Sequence, residues 1–152
     1  MTMAGRQRGW LSLDFHAAFR EILRHASNSY RIVVPAYCLM PDHFHLLAAG
    51  IAPDSDQLLW TRAIRRSLNQ HLAPRRLQKQ AYDHVLRTDE SDRDSFTALV
   101  HYLCENPVRA RLAPRPVDWP YCGTCVPLRP DLDPRLPNFR EEWWAYWVSL
   151  HP

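Results

Sequence analysis

Two histidines one residue apart stand in the stretch MPDHFHLL, residues 40–47. Side chains alternate across a β-strand, so in an extended chain His43 and His45 share one face while Phe44 and Leu46 share the other. Two neutral imidazoles that converge on one point supply part of the ligand set of a divalent ion. Two ordinary half-buried histidines are the alternative, and the pair by itself favours that alternative.

A tyrosine and an asparagine four residues apart, Tyr102 and Asn106, lie on a predicted helix farther along the chain. Residues with this spacing are neighbours on one edge of a helix. A tyrosine that reaches a metal-bound phosphate is a candidate nucleophile, and the amide oxygen of Asn106 is a candidate metal ligand. From spacing alone, an aromatic residue at the core margin and a helix C-cap before Pro107 are the simpler interpretations.

Basic residues are unevenly distributed in this chain. The formal charge of +3 is small, but all except one of the 19 basic residues are arginine, and residues 62–79 contain no acid. The planar guanidinium binds phosphate oxygens two at a time, so this run predicts contacts with a nucleic-acid backbone, with a solvated helix face as the alternative. The candidate DNA-binding residues are Arg62, Arg65, Arg66, Arg75, Arg76, Lys79, Arg109 and Arg111. Tyr82 is a candidate platform for unpaired bases.

Four cysteines are too few for a disulfide scaffold, and we expect them to be thiols. Cys122 and Cys125 have the spacing of a zinc knuckle, but a single CxxC without a second pair is a weak signal, and we expect no zinc site. No apolar segment has the length of a signal peptide or a membrane span. We therefore expect a cytoplasmic protein with no membrane partner.

The elements that must position these residues follow from hydrophobic spacing and from caps. A first helix is predicted from Ser12 or Asp14 to about His25, and a turn at residues 27–29. Residues 30–40 and 43–49 predict the two strands of an antiparallel hairpin, and Pro35 indicates an edge position or a bulge.

Two further helices are predicted after the hairpin. The first is capped by Ser55, runs to Leu72 and is ended by Pro74; the second begins near Ser91 and stops near Asn106, because the residue before a proline avoids the helical region. Residues 82–87, YDHVLR, are either a third strand or an ordered loop, and His84 within them is more simply a strand residue than a helper near a metal.

The chain of 152 residues suits a single folding unit. We assign residues 1–125 to one domain, and residues 126–152 to a proline-rich connection followed by an aromatic C-terminal helix that docks on the same domain. In that helix Phe139, Trp143 and Trp147 recur every four residues, which is typical of packing against a core.

Three stretches in this order, AYCLMPDHFHLL, YDHVLR and YLCENPVRARLAPRPVDWPY, resemble the single-tyrosine transposases of the HUH superfamily, in the branch of REP-associated tyrosine transposases. The resemblance covers roughly residues 13–123. It implies a ferredoxin-like α/β (α+β) domain with a central antiparallel sheet and packed helices, which cleaves and transfers single-stranded DNA through a 5′-phosphotyrosine intermediate. Hairpin-forming repetitive DNA is the implied partner, and Mg²⁺ or Mn²⁺ is the implied cofactor.

The same resemblance assigns the site residues. His43, Phe44 and His45 match the HUH motif, Tyr102 matches the nucleophile and Asn106 the third metal ligand. The chain departs from the pattern in three places: PDH replaces the usual PNH, Arg111 replaces a glycine at a helix end, and the first strand is shortened or missing, with RQRGWLSL as its candidate remnant.

The leading hypothesis is therefore a metal-dependent DNA endonuclease and strand transferase that acts as a monomer or homodimer. A catalytically inactive DNA-binding remnant of the same fold is the first alternative. A small structural zinc protein that uses His43, His45 and the CxxC cysteines is the second.

Overall fold

The structure is a computed structural model that describes residues 1–79 and 93–150. In these ranges the helices and strands follow one another as α1 (Leu13–Tyr30), β1 (Ile32–Met40), β2 (His43–Gly50), α2 (Gln57–Leu72), α3 (Arg93–Arg109), β3 (Cys122–Cys125) and α4 (Phe139–Leu150). None of the helices in the described ranges is long and apolar enough to cross a membrane.

The three strands form one antiparallel sheet in the order β2-β1-β3. β1 and β2 are the predicted hairpin, in which Met40 pairs with His43 and Cys38 with His45. β1 is the central strand and all nine of its residues are buried, so the edge position suggested by Pro35 is wrong. The predicted bulge is confirmed, since the register shifts around Pro35 on both sides of β1. A bulge accommodates a residue that cannot donate to the ladder.

Helices cover both faces of the sheet and create two hydrophobic clusters. On one face Phe19 of α1 and Ile64 of α2 pack against Val34 and Leu39 of β1. On the other face Val100 of α3 and Trp143 of α4 pack against alternate residues of β1, including Cys38. The predicted α+β class with a central antiparallel sheet and packed helices is confirmed.

The first helix starts as predicted and ends later. The Ser12 hydroxyl accepts a hydrogen bond from the amide of Phe15 at 3.1 Å, which is an N-cap. The turn predicted at residues 27–29 is wrong, because the helix continues to Tyr30 and ends at Arg31 with a left-handed φ of 51°. Ser27 is only 3 % exposed, so the first residue of the predicted turn belongs to the buried face of the helix, whereas Asn28 and Ser29 are exposed.

The cap of α2 is Asp56 instead of the predicted Ser55. The Asp56 carboxylate accepts from the amide of Leu59 at 2.8 Å. The Ser55 hydroxyl instead donates to the carbonyl of Arg31 at 2.7 Å and accepts from the amide of Ile51. It therefore joins the end of β2 to the end of α1. The predicted end at Leu72 is confirmed.

The helix that carries Tyr102 continues past the predicted stop at Asn106 and ends at Arg109, with Pro107 inside it. Pro107 has no N–H to donate to the carbonyl of Leu103, but the side-chain amide of Asn106 donates to that oxygen at 3.1 Å. This bond replaces the one that proline removes. The predicted start near Ser91 falls just outside the described residues.

After α3 the chain turns through a left-handed residue, Arg111, with a φ of 57°. The amide of Leu112 donates to the carbonyl of Pro107 at 2.8 Å, and that of Arg111 to the carbonyl of Val108 at 2.9 Å. This is the Schellman arrangement, whose left-handed position is normally glycine.

The N-terminal segment pairs with the sheet at a different place from the predicted remnant RQRGWLSL. Thr2 bridges to His43, and Met3 bridges to Leu77. Met1 and Phe44 exchange two backbone hydrogen bonds of 2.7 and 2.8 Å. Residues 1–3 thus lie along the outer edge of β2, and the segment around Leu77 lies beyond them.

The aromatic C-terminal helix α4 packs against α3. Trp143 is 1 % exposed and stacks on Phe96, with ring centroids 5.5 Å apart and an interplanar angle of 11°. Phe139 and Trp147 also belong to this cluster.

Candidate metal and nucleic-acid site

His43 and His45 are adjacent in space at the start of β2. Their Nε2 atoms lie 3.0 Å apart, and their rings are nearly perpendicular, with centroids separated by 4.8 Å. The alternation along β2 that was predicted from the sequence produces this pair, because Phe44 points into the opposite cluster and is fully buried. The two imidazoles therefore present their outer nitrogens to one point.

Asp42 orients His43. Its carboxylate lies 2.7 Å from Nδ1 of His43 and also accepts from Arg6 at 3.1 Å. A neutral His43 then carries its proton on Nδ1 and leaves Nε2 as a free electron pair. Carboxylates commonly orient metal-binding histidines in this way. The sequence signal for this partner is the carboxylate that directly precedes the histidine.

The charges around the pair follow from its burial. Burial, with smaller contributions from the neighbouring His43 and the amino group of Met1, lowers the pKa of His45 to about 4. Burial alone would raise the pKa of Asp42, but hydrogen bonds from His43 and Arg6 outweigh it and the pKa lies below its ordinary value. His45 is therefore neutral at pH 7 and Asp42 is ionised.

The histidine geometry fits a six-coordinate divalent ion. Two ligand atoms in adjacent octahedral positions, each about 2.1 Å from the ion, are about 3.0 Å apart, and the Nε2 atoms have this separation. Among the described residues, no group of three or more His, Cys, Asp and Glu side chains could hold a metal ion.

Tyr102 and Asn106 lie along one edge of α3, as predicted. The Tyr102 side chain is 52 % exposed, and the guanidinium of Arg109 lies over its ring, 4.4 Å from the centroid. The amide nitrogen of Asn106 is bound to the carbonyl of Leu103. About half of Tyr102 is therefore accessible from solvent.

The sheet places α3 and the histidines on the same side. Cys38 and Met40, the cross-strand partners of His45 and His43, belong to the hydrophobic cluster that contains Val100 of α3. Cross-strand partners project from the same face of a sheet. The imidazoles therefore project toward the layer formed by the helix that carries Tyr102.

The predicted basic groove is divided between the two faces. Arg62, Arg65 and Arg66 lie on α2, which packs on the face opposite to α3. The guanidinium of Arg65 donates to the backbone carbonyls of Gln78 and Lys79. This side chain therefore binds the segment that follows α2. Hydrophobic periodicity predicted α2 but could not indicate which face it covers.

The second half of the run lies closer to the histidines. Arg75, Arg76 and Lys79 are exposed and flank Leu77, whose neighbour in the ladder is Met3. Residues 1–3 separate this segment from His43. Arg109 and Arg111 are exposed at the end of α3. Arg109 and Arg111 thus lie at the end of the helix that packs on the histidine side of the sheet, whereas Leu77, which lies between Arg76 and Lys79, packs in the cluster of the opposite face.

The CxxC motif occupies β3 and is divided by the sheet. Cys122 pairs with Cys38 and packs in the cluster with α3, whereas Cys125 pairs with Val34, which belongs to the opposite cluster. The hydrogen bond with Cys104 lowers the pKa of Cys122, but the hydrogen bond with Cys38 and burial outweigh it and raise the pKa above its ordinary value. Residues on opposite faces of a sheet cannot converge on one ion, which disfavours the zinc alternative.

The stretch YDHVLR, with Tyr82 and His84, lies outside the described residues.

Comparison with known proteins finds no family model, no curated protein and no solved structure that matches this chain.

Proposed function

We propose that this protein is a metal-dependent endonuclease and strand transferase for hairpin-forming single-stranded DNA, with Tyr102 as its nucleophile. The observation that carries the proposal is the pair of Nε2 atoms 3.0 Å apart. This pair projects from the sheet face on which α3 packs, and α3 presents an exposed tyrosine.

His43, His45 and Asn106 would hold Mg²⁺ or Mn²⁺, which when bound polarises the phosphoryl oxygen of the scissile bond. Asp42 fixes the tautomer of His43, so that its Nε2 faces the ion. Burial keeps His45 neutral, which is the form that binds metals.

Tyr102 would form a bond from its phenolic oxygen to phosphorus while the bond from phosphorus to the 3′ oxygen of the preceding nucleotide breaks. The phenolic proton passes to the departing 3′ oxygen. The products are a 5′-phosphotyrosine and a free 3′-hydroxyl, and reversal of the step on another strand completes transfer. The guanidinium of Arg109 over the ring would stabilise negative charge on the phenol during attack.

A covalent adduct tests the proposal. A labelled single-stranded oligonucleotide with a hairpin is incubated with the protein and Mn²⁺, then analysed under denaturing conditions. We expect a protein–DNA adduct that is absent in Tyr102→Phe and retained in Tyr30→Phe, a matched change at the end of α1. Adduct formation that persists in Tyr102→Phe would refute the assignment, and salt-sensitive binding without an adduct would support the inactive DNA-binding domain.

A further inference from the structure

A cleft of about 900 Å³ lies between α1 and the segment that follows β3. Small-ligand sites occupy about 300–1,000 Å³. Arg20 of α1 lines one wall, and Leu128 and Leu136 line the other. β3 and β2 are opposite edges of the three-stranded sheet, so this cleft is separate from the histidine pair of β2.

One arginine of the cleft lining stands apart from the carboxylates, although Glu142, outside the lining, also pairs with Arg129 at 2.7 Å. The lining contains four arginines and three carboxylates. Three of the arginines are paired with carboxylates at 2.5–3.0 Å: Arg24 with Glu21, Arg129 with Asp131, and Arg135 with Asp133. The guanidinium of Arg20 makes no hydrogen bond or ion pair with any other residue in the part of the chain that the structure describes. An exposed guanidinium without a carboxylate is available for an anion.

A hydroxyl is held at the base of the cleft. Tyr37 reaches it from β1, and its hydroxyl is 2.8 Å from Nε2 of His16. A Cβ on Gly123 would lie 2.8 Å from this hydroxyl, so the missing side chain at position 123 leaves it room. Burial, together with Arg20 and Arg135, lowers the pKa of His16 to about 4. The imidazole is therefore neutral and does not add charge to this site.

The rim of the cleft is apolar and backbone-strained. Leu128 is 95 % exposed and has a left-handed φ of 63°. Glycine, which has no Cβ, would avoid this strain. The leucine side chain is almost fully exposed, so burial does not offset the strain. Strained residues concentrate at ligand sites. An apolar ligand part would bury the leucine.

We propose that this cleft binds an organic phosphate of nucleotide size, with the phosphate on Arg20 and the apolar part against Leu128 and Leu136. The phosphate comes either from a free nucleotide or from one nucleotide of a DNA strand. The inference does not depend on the function proposed for Tyr102, because none of the cleft residues belongs to that site.

Isothermal titration with deoxyadenosine 5′-monophosphate, deoxyadenosine and a 5′-phosphorylated hexamer of deoxyadenosine tests the proposal. We expect the monophosphate to bind at least tenfold more tightly than the nucleoside, and Arg20→Gln to weaken it at least tenfold. Arg20→Lys should give an intermediate loss, because it retains the charge without the fork. Arg8→Gln, an exposed arginine outside the cleft, should bind like the parent protein.

The two sources of phosphate give different outcomes. If Arg20→Gln weakens only the hexamer, the ligand is a nucleotide within a strand; if it weakens only the monophosphate, the ligand is free. Equal binding of both probes by Arg20→Gln and the parent protein overturns the proposal. All titrations are repeated in Tyr102→Phe, where cleft binding should be unchanged, so failure of the cleft is distinguishable from failure of the nuclease.

Discussion

The guanidinium of Arg109 lies 4.4 Å from the centre of the Tyr102 ring. Arg109 follows Tyr102 by about two turns of α3. The contact holds a half-exposed aromatic side chain in one place without burying it. A cation over a phenol ring also favours the oxygen when it carries negative charge. We infer that Arg109 is a positioning residue for Tyr102 in addition to a candidate phosphate contact.

Arg109→Gln should slow formation of the covalent DNA adduct about tenfold, because the ring loses both its position and the nearby charge. Single-turnover adduct formation at saturating oligonucleotide measures this rate separately from DNA affinity. Arg93→Gln is the matched control. Arg93 is at the start of α3, and its guanidinium lies over the ring of Trp144 on α4. An unchanged rate in Arg109→Gln would show that the contact is only structural.

Asp42→Ala should weaken Mn²⁺ binding about 10–100-fold, because His43 loses the group that fixes its tautomer. Asp42→Asn should cost much less, since the amide oxygen still accepts from Nδ1. Titration of Mn²⁺ followed by electron paramagnetic resonance measures the affinity without DNA. Equal affinities for Asp42→Ala and the parent protein would contradict an orienting role.

Arg111→Gly should stabilise the protein by about 1 kcal/mol, because glycine tolerates a φ of 57° without the clash of a Cβ. The change is measured as a shift of the urea unfolding midpoint at constant slope. Ala110→Gly, one residue earlier and without positive φ, should be neutral or destabilising by up to about 1 kcal/mol. A loss of stability in Arg111→Gly would argue against the observed helix end.

Gly123→Ala should destabilise the protein by about 1–3 kcal/mol, because its methyl group would meet the buried Tyr37 hydroxyl at 2.8 Å. Tyr37→Phe removes that hydroxyl and should cost about 1 kcal/mol through the lost bond to His16. The double variant should cost less than the sum of the two single changes. Strict additivity in urea unfolding would show that the two groups do not meet.

Acidification should destabilise the protein through His16. Its pKa is lowered from 6.5 to about 4 in the folded state, so the unfolded chain binds the proton more tightly. Stability is complete above about pH 6.5 and decreases as the pH falls toward 4. Since His16 is only half-buried, solvent screening limits its share to about 1 kcal/mol.

His16→Gln should therefore flatten the decrease in unfolding free energy between pH 6.5 and 4. Part of the decrease should remain, because the pKa of His45 is lowered to the same range. Urea titrations at several pH values measure this slope. An identical slope in the variant and the parent protein would show that His16 is not the responsible group.

The local features of the site could be predicted from the sequence. Period-two alternation placed His43 and His45 together, the i,i+4 spacing placed Tyr102 and Asn106 on one edge of a helix, and Pro35 marked a bulge. Each of these follows from the geometry of a single element.

Tertiary contacts decided what the sequence could not. α1 continues through residues 27–29, which favour a turn, and Ser27 is buried there. The side-chain amide of Asn106 donates to the carbonyl that Pro107 leaves without a backbone donor, so α3 includes this proline. The face on which α2 packs separated Arg62 from Arg109. The role of Asp42 depended on a hydrogen bond whose direction no spacing rule specifies.

Alternate side chains of β1 belong to opposite hydrophobic clusters: Val34 and Leu39 to one, Cys38 and Met40 to the other. Both helical layers pack against β1, so loss of either layer would expose one face of the strand that the other layer packs against. We therefore expect the described part of the chain to melt as one unit, and heating should give a single cooperative transition in which the histidine pair and the cleft are lost together.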